Sequence, residues 1–257
     1  MGARDIDWRA YIDAKFENVE RDREALHLYQ SCDAIPFLRE NPYSALFIDM
    51  GLGKTISSLT AIVDLLNEFV YDKVLVIGPM RVANETWPTE IGLWEHTAQL
   101  NHQVIYAFDD DPRLEDARRA AEAAARAIAR AQNLSPDDVR KAAQRAGQKA
   151  ETAMRETIRE QAARSTASVH IISRDWIEWL VNFWGTKWPY RMVIVDESSG
   201  FKDHKSGRFQ ALAKVRNSFF DAAKTKPFIE RLHILTATPA AETYEHLFAQ
   251  LYLLDRG

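Results

Sequence analysis

Two short stretches of the chain hold residue types that handle phosphate. The first is Met50-Gly51-Leu52-Gly53-Lys54-Thr55, and the second is Asp196-Glu197. Glycines let backbone N–H groups curl around an anion with no Cβ in the way. A helix N-terminus placed just after them adds unpaired donors and a partial positive charge. Lys54 would then reach the β- and γ-phosphates of a nucleotide, and the Thr55 hydroxyl would ligate Mg²⁺. Asp196 is placed to hold the Mg²⁺ shell opposite Thr55, and Glu197 to orient or deprotonate an attacking water. Ile48 stands where the strict phosphate-loop pattern has a glycine, so the match is to a relaxed form. Taken singly, the stretches also read as a glycine turn and as an acidic strand end. Together they describe one site for phosphoryl transfer.

Such a site needs elements that bring the two stretches together. Short Val- and Ile-rich runs at 45–48, 74–77, 104–108, 169–172, 192–195 and 232–235 show little polar alternation. That is how strands covered on both faces read. Helical spacing between them is clearest over 55–69, where Ile56, Leu59, Ile62, Val63 and Leu66 fall on one face. Further helices are expected over 87–94 and 242–254. Alternating strands and helices predict a three-layer α/β domain with a mainly parallel sheet, and such sheets bind ligands at the carboxyl ends of their strands. The loop after the first run and the acidic pair after the fifth both stand at such ends.

One segment breaks the alternation. Residues 113–164 are rich in Ala, Arg, Glu and Gln, with 12 Arg and Lys against 8 Asp and Glu. Ser135-Pro136-Asp137-Asp138 reads as a helix start: a cap, a proline in the first turn, then acids facing the dipole. Two helices, about 114–132 and 136–164, are expected to form an antiparallel hairpin inserted in the domain. A solvated arm and a protrusion that touches nucleic acid or a partner are both open readings of it.

Composition adds bounds. The chain has 257 residues, 46% hydrophobic and 27% charged, which excludes a disordered chain or a fibre. The formal net charge of -4 gives no dominant basic field. A single cysteine, Cys32, excludes an internal disulfide or a thiolate cluster. It is expected to be an inert core residue. The start of the chain lacks the apolar core of a secretory signal, and no run nears the roughly 18 apolar residues of a membrane span. A soluble, cytoplasmic protein is expected.

At this point the residues resemble a family. The chain is similar to the first RecA-like motor domain of superfamily-two helicase-like ATPases of the Swi/Snf type, phage and prophage members above all. Leu28-Tyr29-Gln30 resembles the glutamine motif that reads adenine, and the Gln30 amide can both donate and accept. Asp49 to Thr55 resembles the first motif, in the relaxed loop form of helicase-like ATPases. Gly78-Pro79-Met80-Arg81-Val82, followed by Trp87 and Glu90, resembles motif Ia, which lies against the nucleic-acid backbone. Val169-His170-Ile171-Ile172-Ser173 resembles the strand with the Ib-like contacts. Asp196-Glu197-Ser198-Ser199-Gly200-Phe201-Lys202 resembles motif II, although relatives usually carry His or a similar residue where serines stand here. Leu235-Thr236-Ala237-Thr238-Pro239-Ala240 resembles motif III, whose hydroxyls couple the acidic pair to whatever lies across the cleft. The six motifs follow the family's order along the chain.

The resemblance implies a RecA-like domain over 26–257, preceded by an extension over 1–25. It implies ATP and Mg²⁺ as cofactors and DNA, double-stranded by preference, as partner. Pro79, Arg81, Ser173, Lys202 and Lys205 are the implied nucleic-acid contacts. It also implies a second RecA-like domain that supplies an arginine finger, worth roughly 10³ to 10⁵ in turnover. The 257-residue chain alone is therefore expected to hydrolyse ATP weakly or not at all. The alternative is a standalone nucleotide- or DNA-binding module that regulates a partner. A restriction-type motor subunit shares the same motifs. Seven tryptophans are present, and Trp176, Trp179, Trp184 and Trp188 precede the acidic strand, where core packing is expected rather than base stacking.

Overall fold

The computed structural model describes residues 21–239 and 244–256. Residues 1–20 of the extension expected over 1–25, Ala240 of the last motif and the start of the helix expected over 242–254 lie outside them. Six parallel strands form one sheet: β1 (Tyr43–Phe47), β2 (Val74–Gly78), β3 (His102–Val104), β4 (Val169–Ser173), β5 (Met192–Asp196) and β6 (Arg231–Thr236). Their spatial order is β1-β6-β5-β2-β4-β3. The helices, in chain order, are α1 (Ile35–Glu40), α2 (Lys54–Asn67), α3 (Trp87–Leu93), α4 (Glu95–Ala98), α5 (Pro112–Ala131), α6 (Pro136–Ala163), α7 (Ile177–Trp184), α8 (Gly207–Arg216) and α9 (Tyr244–Asp255).

The pleat explains the three layers. Val74, Val76, Val169, Ile171, Met192 and Ile194 point into one core with Ile56, Leu59 and Ile62 of α2 and with Trp87 and Ile91 of α3. Their chain neighbours Leu75, Ile77, Ile172, Val193 and Val195 point into the opposite core with Ile177 and Leu180 of α7, Leu212 of α8 and Leu253 of α9. Successive strand residues must face opposite ways, so a run with apolar residues at every position requires cover on both sides. Burying each such side chain contributes about 1.5–3 kcal/mol. The architecture is RecA-like.

One expected strand is displaced. The apolar run predicts a strand over 104–108, but β3 is His102–Val104. Ile105 still donates to the Ile171 carbonyl at 2.8 Å. Beyond it the chain turns into the hairpin, and Ala107 is buried outside any strand. An edge strand has a partner on one side only, so apolar burial there does not require further pairing.

The hairpin forms within two residues of its expected limits. Asp111 caps α5 with Pro112 in its first turn, and Ser135 caps α6 by accepting from the Asp138 N–H. At its base, the Arg159 guanidinium lies 3.6 Å from the Trp176 ring centroid and 5.2 Å from that of Trp179. Trp188 is buried, whereas Trp176, Trp179 and Trp184 are half-buried under this arm and its neighbours. Cys32 departs from expectation. It lies in a π-helical turn (Gln30–Ala34) with its side chain exposed. Its neighbours Ser31 and Asp33 are polar and exposed as well, so this part of the turn faces solvent.

Candidate nucleotide site

The loop after β1 is shaped by two left-handed glycines. Gly51 has φ +77° and Gly53 φ +70°, a region that costs side-chain-bearing residues energy. A Cβ at Gly53 would fall 2.1 Å from Gln30 Nε2, while a Cβ at Gly51 would meet nothing within 4 Å. Gln30 is buried over the loop. Its Nε2 lies 3.5 Å from the Leu52 carbonyl, its Oε1 accepts from the His27 N–H at 2.8 Å, and the Tyr29 hydroxyl donates to the same Leu52 carbonyl. Lys54 Nζ donates to the carbonyls of Ile48 at 3.0 Å and Asp49 at 3.1 Å, inside the curl of the loop. Thr55 sits half-buried in the first turn of α2, while Met50 and Leu52 are exposed on the loop's outer side.

The sheet order brings the acidic pair to this loop. Phe47 of β1 pairs with Thr236 of β6, and Leu235 of β6 pairs with Asp196 of β5. The loop, the end of β6 and the acidic pair therefore stand side by side on one edge. Asp196 is 4% exposed, and both its oxygens are held. The Trp87 indole N–H donates to Oδ2 and the Glu197 N–H to Oδ1, both at 2.9 Å. Burial raises the Asp196 pKa, with the Trp87 and Glu197 N–H bonds and the Lys54 charge opposing it. Glu197 is raised as well, first by burial and then by the Asp196 charge, against Lys54 and Arg174. Glu197 has φ +48°. A glutamate in that region persists only where its surroundings hold it, at a cost of about 1–3 kcal/mol.

The hydroxyl residues at the end of β6 flank this pair. Thr236 is buried, and its Oγ1 accepts from the Thr238 N–H at 3.1 Å. Thr238 itself is exposed.

The residues present fit a nucleoside triphosphate with Mg²⁺. The loop has space beside Gly51 and no room for a Cβ at Gly53. Lys54, Thr55 and Asp196 supply one cation, one hydroxyl and one carboxylate. Mg²⁺ keeps several waters and takes one or two carboxylates plus phosphate oxygens, so this sparse donor set suits it. Among the described residues, no group of three or more His, Cys, Asp or Glu is gathered for a more demanding metal.

The residues expected to meet nucleic acid are spread along the same end of the sheet. Gly78 of β2 pairs with Ser173 of β4, and Pro79 and Arg81 follow Gly78. Arg81 is exposed and pairs with Glu85 at 3.2 Å. Ser173 is 1% exposed, and its hydroxyl caps the turn after β4 by accepting from the Asp175 N–H at 3.3 Å. Lys202 is half-buried and Lys205 exposed. A cavity of about 430 Å³ beside the turn after β5 is lined by Arg174, Lys202 and Arg208, by Asp203, and by Ser199, Gly200 and Ser206.

Sequence reasoning did not assign three residues that the geometry brings to the site. Trp87 holds Asp196, Arg174 packs on Gly200, and Gln250 accepts from Ser198. Only Trp87 carried a signal, through its place after motif Ia. The other two reach the site across the fold.

Among the described residues, no helix is long and apolar enough to cross a membrane. Comparison with known proteins adds the family. The profile of the SNF2-related domain matches residues 38–257. Protein p41 of Acyrthosiphon pisum secondary endosymbiont phage 1 is 27% identical over 219 residues, covering 83% of this chain and 36% of its own length. In structure, the Sulfolobus solfataricus SWI2/SNF2 ATPase core in complex with dsDNA matches at TM-score 0.57 and 16% identity, over 90% of this chain and 36% of that one. The UvsW helicase of bacteriophage T4 matches at TM-score 0.51 and 10% identity, over 94% of this chain and 64% of that one. The chain thus spans about a third of the curated relative and of the archaeal core. With the profile covering most of the chain, and with a RecA-like sheet under it, this chain belongs to the SNF2-related domain family.

Proposed function

We propose that this chain is the ATP-binding half of a DNA-dependent ATPase of the translocase type. One observation carries the reading: the loop with Lys54 and Thr55 and the pair Asp196 and Glu197 meet on one sheet edge, with Thr236 between them. Lys54 and the loop N–H groups would hold the β- and γ-phosphates, and Thr55 and Asp196 would hold Mg²⁺. The bound metal neutralises charge that develops on the transferred phosphoryl group. Trp87 keeps the Asp196 carboxylate in one orientation. Glu197, beside it, is the group that orients or accepts a proton from water. Its raised pKa makes it a better base than an ordinary carboxylate.

DNA is the proposed track, on the motif Ia side and around Lys202 and Lys205. The archaeal relative was solved in complex with double-stranded DNA, which supports this choice of track. A second RecA-like domain is the proposed source of an arginine finger, because the chain covers only 36% of that relative. Lys54→Ala tests the site. ATP–Mg²⁺ affinity, read with a fluorescent nucleotide, is expected to fall at least roughly tenfold, about 1.4 kcal/mol. Unchanged affinity would remove the site assignment. Strong DNA-stimulated turnover by the 257-residue chain alone would remove the need for a second domain.

A further inference from the structure

Gln250 of α9 is fully buried, and its amide reaches two strand ends of the site at once. Its Oε1 accepts from the Ser198 hydroxyl at 2.7 Å, and its Nε2 donates to the Pro239 carbonyl at 2.7 Å. Ser198 directly follows Asp196 and Glu197 and is itself fully buried. Pro239 closes the segment in which the Thr238 N–H bonds to Thr236 Oγ1. The two segments leave neighbouring strands, β5 and β6. An amide accepts at one end and donates at the other, so it suits a serine hydroxyl on one side and a carbonyl on the other. Leucine at this position would fill similar space and make neither bond. Glutamate would turn an acceptor toward the Pro239 carbonyl. The left-handed Glu197 adds weight: the residue after it is anchored through Gln250, so movement of α9 or of the 236–239 segment bears on the glutamate's backbone.

We propose that Gln250 is a positioning residue that ties the Asp196 and Glu197 turn to the 236–239 segment, so that the two move as one unit during ATP hydrolysis. The proposal rests on the ATPase reading above. Gln250 touches neither nucleotide nor metal in this assignment, and it acts through Ser198 and Pro239.

Two measurements test it. The first is amide hydrogen exchange on the 257-residue chain without nucleotide. Gln250→Leu is expected to lower protection at 197–201 and at 236–239 together, and to leave β2 protected as before. Unchanged protection at 197–201 would overturn the link, whether or not the chain uses ATP. The second is DNA-stimulated ATP hydrolysis by the full-length protein. Gln250→Leu is expected to lower the maximal rate roughly tenfold with nucleotide affinity within about twofold, the pattern of a group that matters after binding. Ser198→Ala is expected to cost less, and adding it to Gln250→Leu to cost nothing more, because both cut one link. Additive losses, a wild-type rate in Gln250→Leu, or affinity lost in parallel with rate would each overturn the proposal. No hydrolysis by wild type, with Lys54→Ala binding nucleotide equally well, overturns the ATPase reading instead.

Discussion

Gly53 meets two demands at one atom position. Its φ of +70° favours glycine, and its missing Cβ leaves room for Gln30 Nε2. Gly51 meets only the first, since open space surrounds it at φ +77°. The two loop glycines therefore separate strain from crowding. Gly51→Ala is expected to destabilise the chain by about 1–2 kcal/mol through backbone strain alone. Gly53→Ala carries the same strain and also expels Gln30 from the loop, so it is expected to lower both thermal stability and nucleotide affinity by more. Thermal unfolding and fluorescent-nucleotide titration of the two variants check this. Equal effects on affinity would mean that Gln30 does not shape the loop. Trp87 makes a related point for the acidic pair. A buried indole N–H on Asp196 Oδ2 makes Trp87 a clamp on the proposed metal ligand.

Among the elements, the hairpin of α5 and α6 is closely packed. Gly147 of α6 lies against α5 so closely that a Cβ would fall 2.7 Å from Glu122 Cγ and 3.1 Å from Arg118 Cγ. Glu122 in turn pairs with Arg118 at 3.1 Å and Arg126 at 2.8 Å. Much of the arm's positive charge is thus matched by its own acids, each exposed pair worth about 0.3–0.5 kcal/mol. At the base, Arg159 stacks on Trp176, Trp179 donates to Glu156 at 2.6 Å, and Arg164 lies 4.6 Å from the Phe183 ring centroid. The base of the arm is therefore docked on α7. Gly147→Leu is expected to splay the helices at a cost of about 1–3 kcal/mol. Faster tryptic cleavage and exchange within 113–164, with nucleotide affinity unchanged, is the expected result. Protection equal to wild type would show that the helices do not depend on this close approach.

For the whole molecule, two histidines buried in the sheet contribute to its sensitivity to acid. His170 of β4 is pushed down to about 4, by burial first and then by the Lys73 charge. Its ring nitrogens hydrogen-bond Ser165 Oγ at 2.8 Å and the Tyr190 hydroxyl at 2.6 Å. His233 of β6 is pushed down to about 3 by burial, with the Arg231 charge adding to it, and it hydrogen-bonds Ser44 Oγ at 2.7 Å. Each ring binds its proton more weakly in the folded chain than in the unfolded one. The stability they confer is therefore full above the ordinary histidine value near 6.5 and drains away as pH falls through the folded values. Down to about pH 4, each contributes a slope of up to about 1.4 kcal/mol per pH unit. The melting temperature is expected to fall steadily from about pH 7 to about pH 4, and less steeply in His170→Gln. An identical slope in that variant would sink the assignment.

The local parts of this protein are legible in its residue order. Apolar runs at every position required strands covered on both faces, and five of the six lie within two residues of where that pattern put them. Glycines followed by Lys54 and Thr55 required a tight loop running into a helix, and Ser135-Pro136 required a helix start. These signals are short-range, because backbone conformation and side-chain periodicity are set within a turn or two. Adjacency, by contrast, comes from the packed fold. The order β1-β6-β5 puts Thr236 between the loop and Asp196, and no local pattern encodes strand order. Trp87 and Asp196 are 109 residues apart, and Ser198 and Gln250 are 52 apart. Buried polar groups must find partners wherever the fold places them. The two residues that hold the acidic turn in place were thus chosen by the packing of α3 and α9 on opposite faces of the sheet. Trp87 carried only the signal of its place after 78–82, and Gln250 reads, in sequence alone, as an ordinary helical side chain.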